Sequence, residues 1–396
     1  MKILLLGEYS NVHWTLAQGL RTLGHQVTVI SDGDGWKNYK RDIDLRRRSL
    51  RPLDTISYIA RILRLLPRMR GYDIVQIINP VFFNLRAGKM MPFYRYLRRH
   101  NTRLVMGAFG MDHYWVKTCI DCTTFRYSDF NIGSHLRTDE PCNRQFVTDW
   151  LHGEKSQLNI DIANDCDAIV AGLYEYYRCY HPDFSDKTVF IPFPIKMPDS
   201  SDNMHEQQSY NPDHGTATPH PATAKVSFFV GIQRGRSEYK GTDIMLRALR
   251  RIEANYPDRC ELRIAESVPF DTYQQMIQSA DVLIDQLYSY TPAMNALLAM
   301  SKGMVAVTGG EPENYEILGE THLRPIVNVQ PDEDDCYRSF EQLVLHPELL
   351  PRLKAESVEY VRRHHEYTKV ALQYQKLYQR LLNSPTHSVS SSYSTS

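Results

Sequence analysis

The apolar positions of this chain fall into short runs separated by longer stretches of helical spacing. Residues 2–7 (KILLLG) form one such run, and 26–31, 74–78, 104–106, 168–170 and 189–191 form others rich in Val, Ile and Ala. Continuous apolar runs this short mark strands covered on both faces, as in a parallel sheet. Between them, apolar residues recur with a period near 3.6. That spacing predicts helices over about 12–23, 53–66 and 143–164, the second stopped by Pro67. A second series predicts strands near 225–230, 261–265, 281–285, 304–307 and 326–329, then helices at about 334–346, 348–364 and 367–382. Strand–helix alternation of this kind predicts an α/β fold with doubly wound parallel sheets.

The two series are separated by residues 197–224 (MPDSSDNMHEQQSYNPDHGTATPHPATA), which hold almost no large apolar side chain and cannot build a core. The reading is a first domain over 1–196, a flexible linker or loop over 197–224, and a second domain over 225–366. Residues 384–396 (SPTHSVSSSYSTS) read as a disordered polar tail.

Composition places the chain among ordinary globular proteins, with 42% apolar and 23% charged residues in 396. No apolar run reaches the roughly 20 residues that span a bilayer. The first run stops at Gly7, which favours a buried strand over a secretory signal. Seven cysteines spread thinly over the chain point to a reducing compartment, hence the cytoplasm. Net charge is zero, yet the first 103 residues carry 19 Lys+Arg against 7 Asp+Glu, a balance of +12. Arg46, Arg47, Arg48, Arg51, Arg61, Arg64, Arg68 and Arg70 supply much of it, beside Ile56, Ile59, Leu63 and Leu66 at helical spacing. A basic amphipathic helix fits peripheral contact with an anionic membrane, and equally a core-packed helix with a solvated basic face. No recognition motif supports nucleic acid as a partner.

The chemistry concentrates after residue 225. Gly231-Ile232-Gln233-Arg234-Gly235-Arg236-Ser237-Glu238-Tyr239-Lys240-Gly241 follows an apolar strand and precedes an amphipathic helix. Arginine offers a planar fork of donors and lysine a point charge, so Arg234, Arg236 and Lys240 suit a diphosphate at the carboxyl end of a strand. A solvated basic turn is the plainer alternative. Thr291-Pro292-Ala293-Met294-Asn295 reads as a helix start with threonine as cap, its first amides aimed at an anion. Gly309-Gly310-Glu311 allows close backbone approach to a ligand, or is a plain strand-to-helix turn. Cys119, Cys122 and Cys142 form at most half a zinc site, with His135 or His152 to complete it, or are buried thiols of an insertion. Asp332-Glu333-Asp334-Asp335 lacks metal-binding spacing and reads as a dipole-matched helix start. No metal site and no cofactor are expected.

Several of these pieces together resemble the GT-B glycosyltransferases of the retaining family 4 class, most strongly over residues 225–382. Arg234 to Lys240-Gly241 is similar to that family's G-R-x(n)-K-G diphosphate element. Ala280-Asp281-Val282-Leu283-Ile284 resembles its "aDvfv" strand, residues 297–307 (LLAMSKGMVAV) its "LEAMAxGxPVV" segment, and Gly309-Gly310-Glu311-Pro312-Glu313 its "GGxPE" turn. The resemblance implies two Rossmann-like domains facing a cleft, with a helix at 367–383 crossing back to the first domain. It implies transfer of a sugar from a nucleotide-diphosphate donor, with retention and without a metal, to a saccharide or lipid-linked glycan in cell-surface polysaccharide or glycoconjugate synthesis. Arg234 and Lys240 would stabilise the leaving diphosphate, with Arg236, Thr291, Ala293, Met294, Asn295, Gly309, Gly310 and Glu311 on the donor side. The loop Gly7 to His13 would bring Tyr9, Ser10, Asn11 and His13 to the acceptor side. Phe109-Gly110-Met111-Asp112-His113 stands where the family often has "HGxD", which leaves Asp112 and His113 as the polar catalytic candidates. The segment at about 115–145 would shape the acceptor side. The chain departs from the pattern where the family carries a glutamate pair, here Tyr290 and Leu298, with Asn295 and Gln286 as polar substitutes nearby. Residues 266–281 also look one βα unit short. These departures keep open a GT-B nucleotide-sugar isomerase and a non-catalytic scaffold held at a membrane.

Overall fold

The computed structural model describes residues 1–198, 225–232, 237–266, 275–277 and 280–385. Most of the expected linker, the tail beyond 385, and Arg234 and Arg236 lie outside the described residues, as does most of the stretch 266–281.

The chain begins with β1 (Lys2–Leu6), β2 (Gln26–Ser31), the short β3 (Ile43–Asp44), β4 (Ile74–Ile77) and β5 (Arg103–Ala108). A small antiparallel hairpin follows, β6 (Asn131–Ile132) with β7 (His135–Leu136), then β8 (Ala168–Ala171) and β9 (Thr188–Phe190). Apart from the hairpin these strands make one parallel sheet in the order β3-β2-β1-β4-β5-β8-β9. Every residue of β4, β5 and β8 is buried, as strands covered on both faces require, including Gln76 and Arg103 beside their apolar neighbours. A second parallel sheet, in the order β11-β10-β12-β13-β14, joins β10 (Val226–Ile232), β11 (Cys260–Glu266), β12 (Val282–Ile284), β13 (Val305–Thr308) and β14 (Val327–Asn328). Chain order reverses beside β1 in the first sheet and beside β10 in the second. In open α/β sheets ligands bind outside the carboxyl ends of the strands at such points.

All the expected strands are present, and the helices Val12–Thr22, Pro52–Leu65 and Thr242–Asn255 stand where periodicity puts them. The single helix expected at 143–164 is instead two, Pro141–Val147 and Glu154–Asp165, joined by a π-turn over Thr148–His152. The break is at Gly153, which is extended; a Cβ there would lie 2.7 Å from the Asp149 carbonyl oxygen. The acidic run starts the helix Glu333–Leu345 as expected: Asp332 accepts from the Asp335 amide at 2.8 Å, and Glu333 takes bonds from Arg247 and Arg251, each at 2.9 Å.

The last helix, Tyr367–Asn383, returns to the first domain and lies on Val12–Thr22. Gly19 permits the contact, since a Cβ there would meet the Tyr367 carbonyl oxygen at 2.5 Å. Tyr378 donates to the Gln76 amide oxygen at 2.8 Å, and His25 bonds Gln375 at 2.9 Å. Ile3 and Leu5 of the first sheet share one continuous apolar cluster with Tyr374, Tyr360, Met300 and Leu297. The core therefore runs from one domain through the closing helices into the other, which holds the two strand-end crevices on either side of a common cleft.

Candidate functional site

The cleft is a cavity of about 1340 Å³, with walls drawn from both domains. On the first-domain side the chain turns sharply after β1. Gly7 adopts φ +82°, and a Cβ there would lie 2.3 Å from Ile78 Cγ2, so only glycine fits. Ser10 and Asn11 follow in left-handed conformations before the helix Val12–Thr22 begins. The buried Glu8 carboxylate accepts from the His13 amide at 3.1 Å and the Trp14 amide at 2.9 Å, holding that turn; burial pushes its pKa up to about 8. Tyr9, Ser10 and Asn11 consequently face the cavity. His13 does not. Its Nδ1 lies 2.9 Å from the Gly7 carbonyl and its Nε2 3.2 Å from the Gln76 amide nitrogen, in a fully buried site whose desolvation lowers its pKa to about 3. Because the carbonyl can only accept, Nδ1 carries the proton, and the ring is a neutral strut behind the loop.

On the other side, Lys240 lines the cavity from the short helix Ser237–Lys240. Gly241 turns the chain with φ +72°; a Cβ there would lie 2.6 Å from Leu287 Cβ. The segment is pinned by the first domain: Arg137 Nη2 donates to the Glu238 carbonyl at 2.6 Å, and the Tyr239 hydroxyl to Asp129 at 2.7 Å. Ala293, Met294, Asn295 and Leu298 line the cavity beside it. The helix there is Met294–Ser301, with Ala293 as its N-cap and no side-chain cap. Asn295 Nδ2 donates to Asp285 at 3.0 Å, which places a carboxylate at the carboxyl end of β12. Lys302, at the end of the helix, also reaches the cavity, and desolvation lowers its pKa.

Thr291 is not the cap of this helix. Its hydroxyl donates to Glu175 at 2.5 Å, and the amides of Tyr290 and Thr291 donate to the same carboxylate at 2.6 and 3.1 Å. Glu175, from the first domain, holds residues 290–291 outside the helix, which starts only at Met294. Gly309, Gly310 and Glu311 also stand away from the cavity lining. At Gly309 a Cβ would lie 1.9 Å from the Ser289 carbonyl oxygen, and the Gly310 amide bonds Asn328 at 2.8 Å. Glu311 accepts from Tyr127 (2.5 Å), Gln330 (2.6 Å), Asn328 (2.8 Å) and Arg126 (2.8 Å), while Arg126 also pairs with Glu313 at 2.5 Å. The insertion after β5 thus clasps the second domain. Tyr290, at a position where the resemblance led to expect glutamate, serves this clasp. Its hydroxyl accepts from the Arg126 amide at 2.6 Å, its ring lies 4.8 Å from the Arg126 guanidinium, and Tyr127 packs on it at 5.0 Å.

Asp112 and His113 lie behind the wall of the cavity. Asp112 is fully buried, caps the helix His113–Cys119 through the Trp115 amide (2.8 Å) and accepts from Tyr180 (2.8 Å); burial pushes its pKa up to about 7. His113 Nδ1 is 2.9 Å from the Trp150 carbonyl and 3.0 Å from Ser156 Oγ. Phe109, from the same stretch, does line the cavity, packed edge-on against His13 and Phe193. Sequence reasoning passed over Lys37, Lys40, Lys196, Lys302 and Asp285, which also face the cavity. Lys302 stands inside the matched "LEAM" segment, but only the fold shows which way it points. All seven cysteines are free thiols, and among the described residues no group of three His, Cys, Asp or Glu side chains is arranged to hold a metal.

No protein-family profile and no curated protein of similar sequence matches the chain. Solved structures do match in fold. Sucrose-phosphate synthase from Thermosynechococcus elongatus superposes with a TM-score of 0.58 at 13% identity, covering 96% of this chain and 99% of that one. HepE from Anabaena, in complex with UDP and glucose, gives 0.54 at 10% identity, covering 96% and 100%. The UDP-GlcNAc 2-epimerase from Neisseria meningitidis bound to UDP-GlcNAc gives 0.51 at 12% identity, with the same coverage. The chain has the GT-B fold, with two Rossmann-like domains across a cleft and a closing helix that crosses back.

Proposed function

We propose that this protein transfers a sugar from a nucleotide-diphosphate donor, bound in the interdomain cleft, to a saccharide or lipid-linked glycan. The observation that carries the reading is the convergence of Lys240 and the uncapped start of Met294–Ser301 on one cavity of about 1340 Å³ at the strand-order reversal of the second sheet. A helix start and a lysine both favour a diphosphate, and they stabilise negative charge where it develops as the glycosidic bond to the donor breaks. The sequence resemblance assigns Arg234 and Arg236, which lie outside the described residues, to the same anion. In this reading cations of the protein carry this charge without a metal, and anomeric configuration is retained, as the sequence resemblance implies. Ala293, Met294 and Asn295 frame the phosphates; Asp285, tied to Asn295, is a hydrogen-bond acceptor for donor hydroxyls in place of the carboxylate absent at Leu298. Tyr9, Ser10 and Asn11 face the acceptor. Neighbours of this fold bind nucleoside diphosphates, HepE with UDP and a starch synthase with ADP, which supports a nucleoside-diphosphate donor. The product is a surface polysaccharide or glycoconjugate, made in the cytoplasm by a protein in peripheral contact with the membrane.

Thermal unfolding against UDP, GDP, ADP and CMP tests this reading, because a ligand that binds only the folded state raises its melting temperature. One nucleotide should stabilise the protein, and Lys240→Ala should abolish the shift while melting normally on its own. A shift that survives in the variant, or none with any nucleotide, overturns the assignment. A nucleotide-sugar isomerase is the second reading, supported by the likeness to the epimerase; product analysis with donor alone separates the two.

A further inference from the structure

The helix Pro52–Leu65 is already packed on one face, where Tyr58 and Ile62 are buried. Its opposite face is nevertheless apolar. Leu53, Ile56 and Leu63 recur at helical spacing and are 81%, 64% and 53% exposed, with Leu50 at 78% just before the helix. A soluble helix needs one apolar stripe, and a second exposed one marks a contact surface. Arg51, Arg64 and Arg68 flank the stripe, exposed and without an ion-pair partner among the described residues. They belong to a wider basic surface: Arg48 and Arg70, exposed just before and after this segment, have no ion-pair partner among the described residues either. Unmatched cations around exposed leucine and isoleucine are complementary to lipid phosphates above acyl chains.

We infer that this outer face docks on an anionic lipid bilayer. Placement supports that occupant. The inner face of the same helix, through Tyr58, walls a second cavity of about 330 Å³ that also holds Gly7 and Tyr9. Tyr9 lines the main cleft as well, so the two cavities share that residue as a wall. A bilayer on the outer face therefore lies one helix thickness, roughly 10 Å, from this second cavity, which shares Tyr9 with the acceptor side of the cleft. This refines the membrane contact proposed above and rests on it.

The test is sedimentation of the full chain with vesicles of phosphatidylcholine alone, or mixed with phosphatidylglycerol, across a salt series. Binding should require phosphatidylglycerol and weaken with salt. Removing Arg51, Arg64 and Arg68 together should lower the partition coefficient about a hundredfold, about fivefold per charge. Leu53→Ser with Ile56→Ser should lower it by a similar factor while leaving the nucleotide-induced melting shift unchanged. Absence of vesicle binding overturns the inference. So does binding that ignores the leucine and isoleucine changes, or single-stranded DNA competing as well against that apolar variant as against the native chain, which would assign the face to a polyanion. A nucleotide shift without vesicle binding sinks this surface and spares the transfer reading; vesicle binding without any nucleotide shift does the reverse.

Discussion

Replacing Glu311 by Ala removes the acceptor at the centre of the interdomain clasp. Its carboxylate is only 6% exposed and takes neutral donors from Tyr127, Asn328 and Gln330 as well as the guanidinium of Arg126. Each buried donor left without a partner costs about 1–3 kcal/mol, and water entering the vacated space satisfies some of them. The expected loss is therefore about 3 kcal/mol. Arg126→Ala makes a useful contrast. Its side chain is 54% exposed, so its pairs with Glu311 and Glu313 are screened, and about 1 kcal/mol is expected. Urea unfolding followed by intrinsic fluorescence should rank Glu311→Ala well below Arg126→Ala. A pH series adds a second reading. Burial alone would raise the Glu311 pKa, but the bonds from Asn328, Tyr127 and Gln330 outweigh it and hold it below the ordinary carboxylate value. A depressed carboxylate stabilises the fold above its unfolded pKa of about 4.3, and that contribution disappears as pH falls through the folded value. The difference between native and variant should accordingly shrink on acidification from neutrality. If Glu311→Ala costs no more than Arg126→Ala, or the difference grows in acid, the clasp is not organised around this carboxylate.

Three further outcomes follow from the same structure. Asp112→Asn keeps the helix cap and should leave the nucleotide-induced melting shift intact, since Asp112 is outside the cavity lining. Because its folded pKa is raised to about 7, its stabilising contribution declines as pH rises from about 3.9 to 7, and the variant should lack that decline in a pH series of urea midpoints. Gly19→Ala places a Cβ 2.5 Å from the Tyr367 carbonyl oxygen and 2.7 Å from Ala371 Cβ, so it should cost about 1–3 kcal/mol and speed protease release of the final helix. Chelation with EDTA should leave transferase activity unchanged, measured as sugar incorporated into acceptor; a loss restored by a divalent cation would refute the metal-independent mechanism.

What the sequence alone decided was everything that depends on neighbours along the chain. The apolar runs of β1, β4, β8, β10 and β12 named themselves, because a strand buried on both faces is apolar at nearly every position, with Gln76 and Ser227 as the buried polar exceptions. Lys240 and Gly241 were legible as a turn that carries a cation after a strand, since a left-handed glycine and a lysine there form a local pattern, and the fold puts Lys240 at the cavity. The loop Tyr9 to Asn11 was legible for the same reason. Contacts between residues far apart in the chain were not. Thr291 looks like a cap until Glu175, 116 positions away, takes its hydroxyl. Glu311 looks like a ligand residue until Tyr127, 184 positions away, occupies it. Asp112, His113 and His13 carry the chemistry of a site, yet each spends its polar atoms on buried backbone or side-chain partners. Tyr290 and Leu298 departed together from one sequence pattern, and the fold separates them: one braces the clasp and the other lines the cavity. Periodicity and turn chemistry are local quantities and can be read along a chain. Which polar atom faces the cleft and which is consumed in holding two domains together depends on long-range packing, and only the tertiary structure decided it.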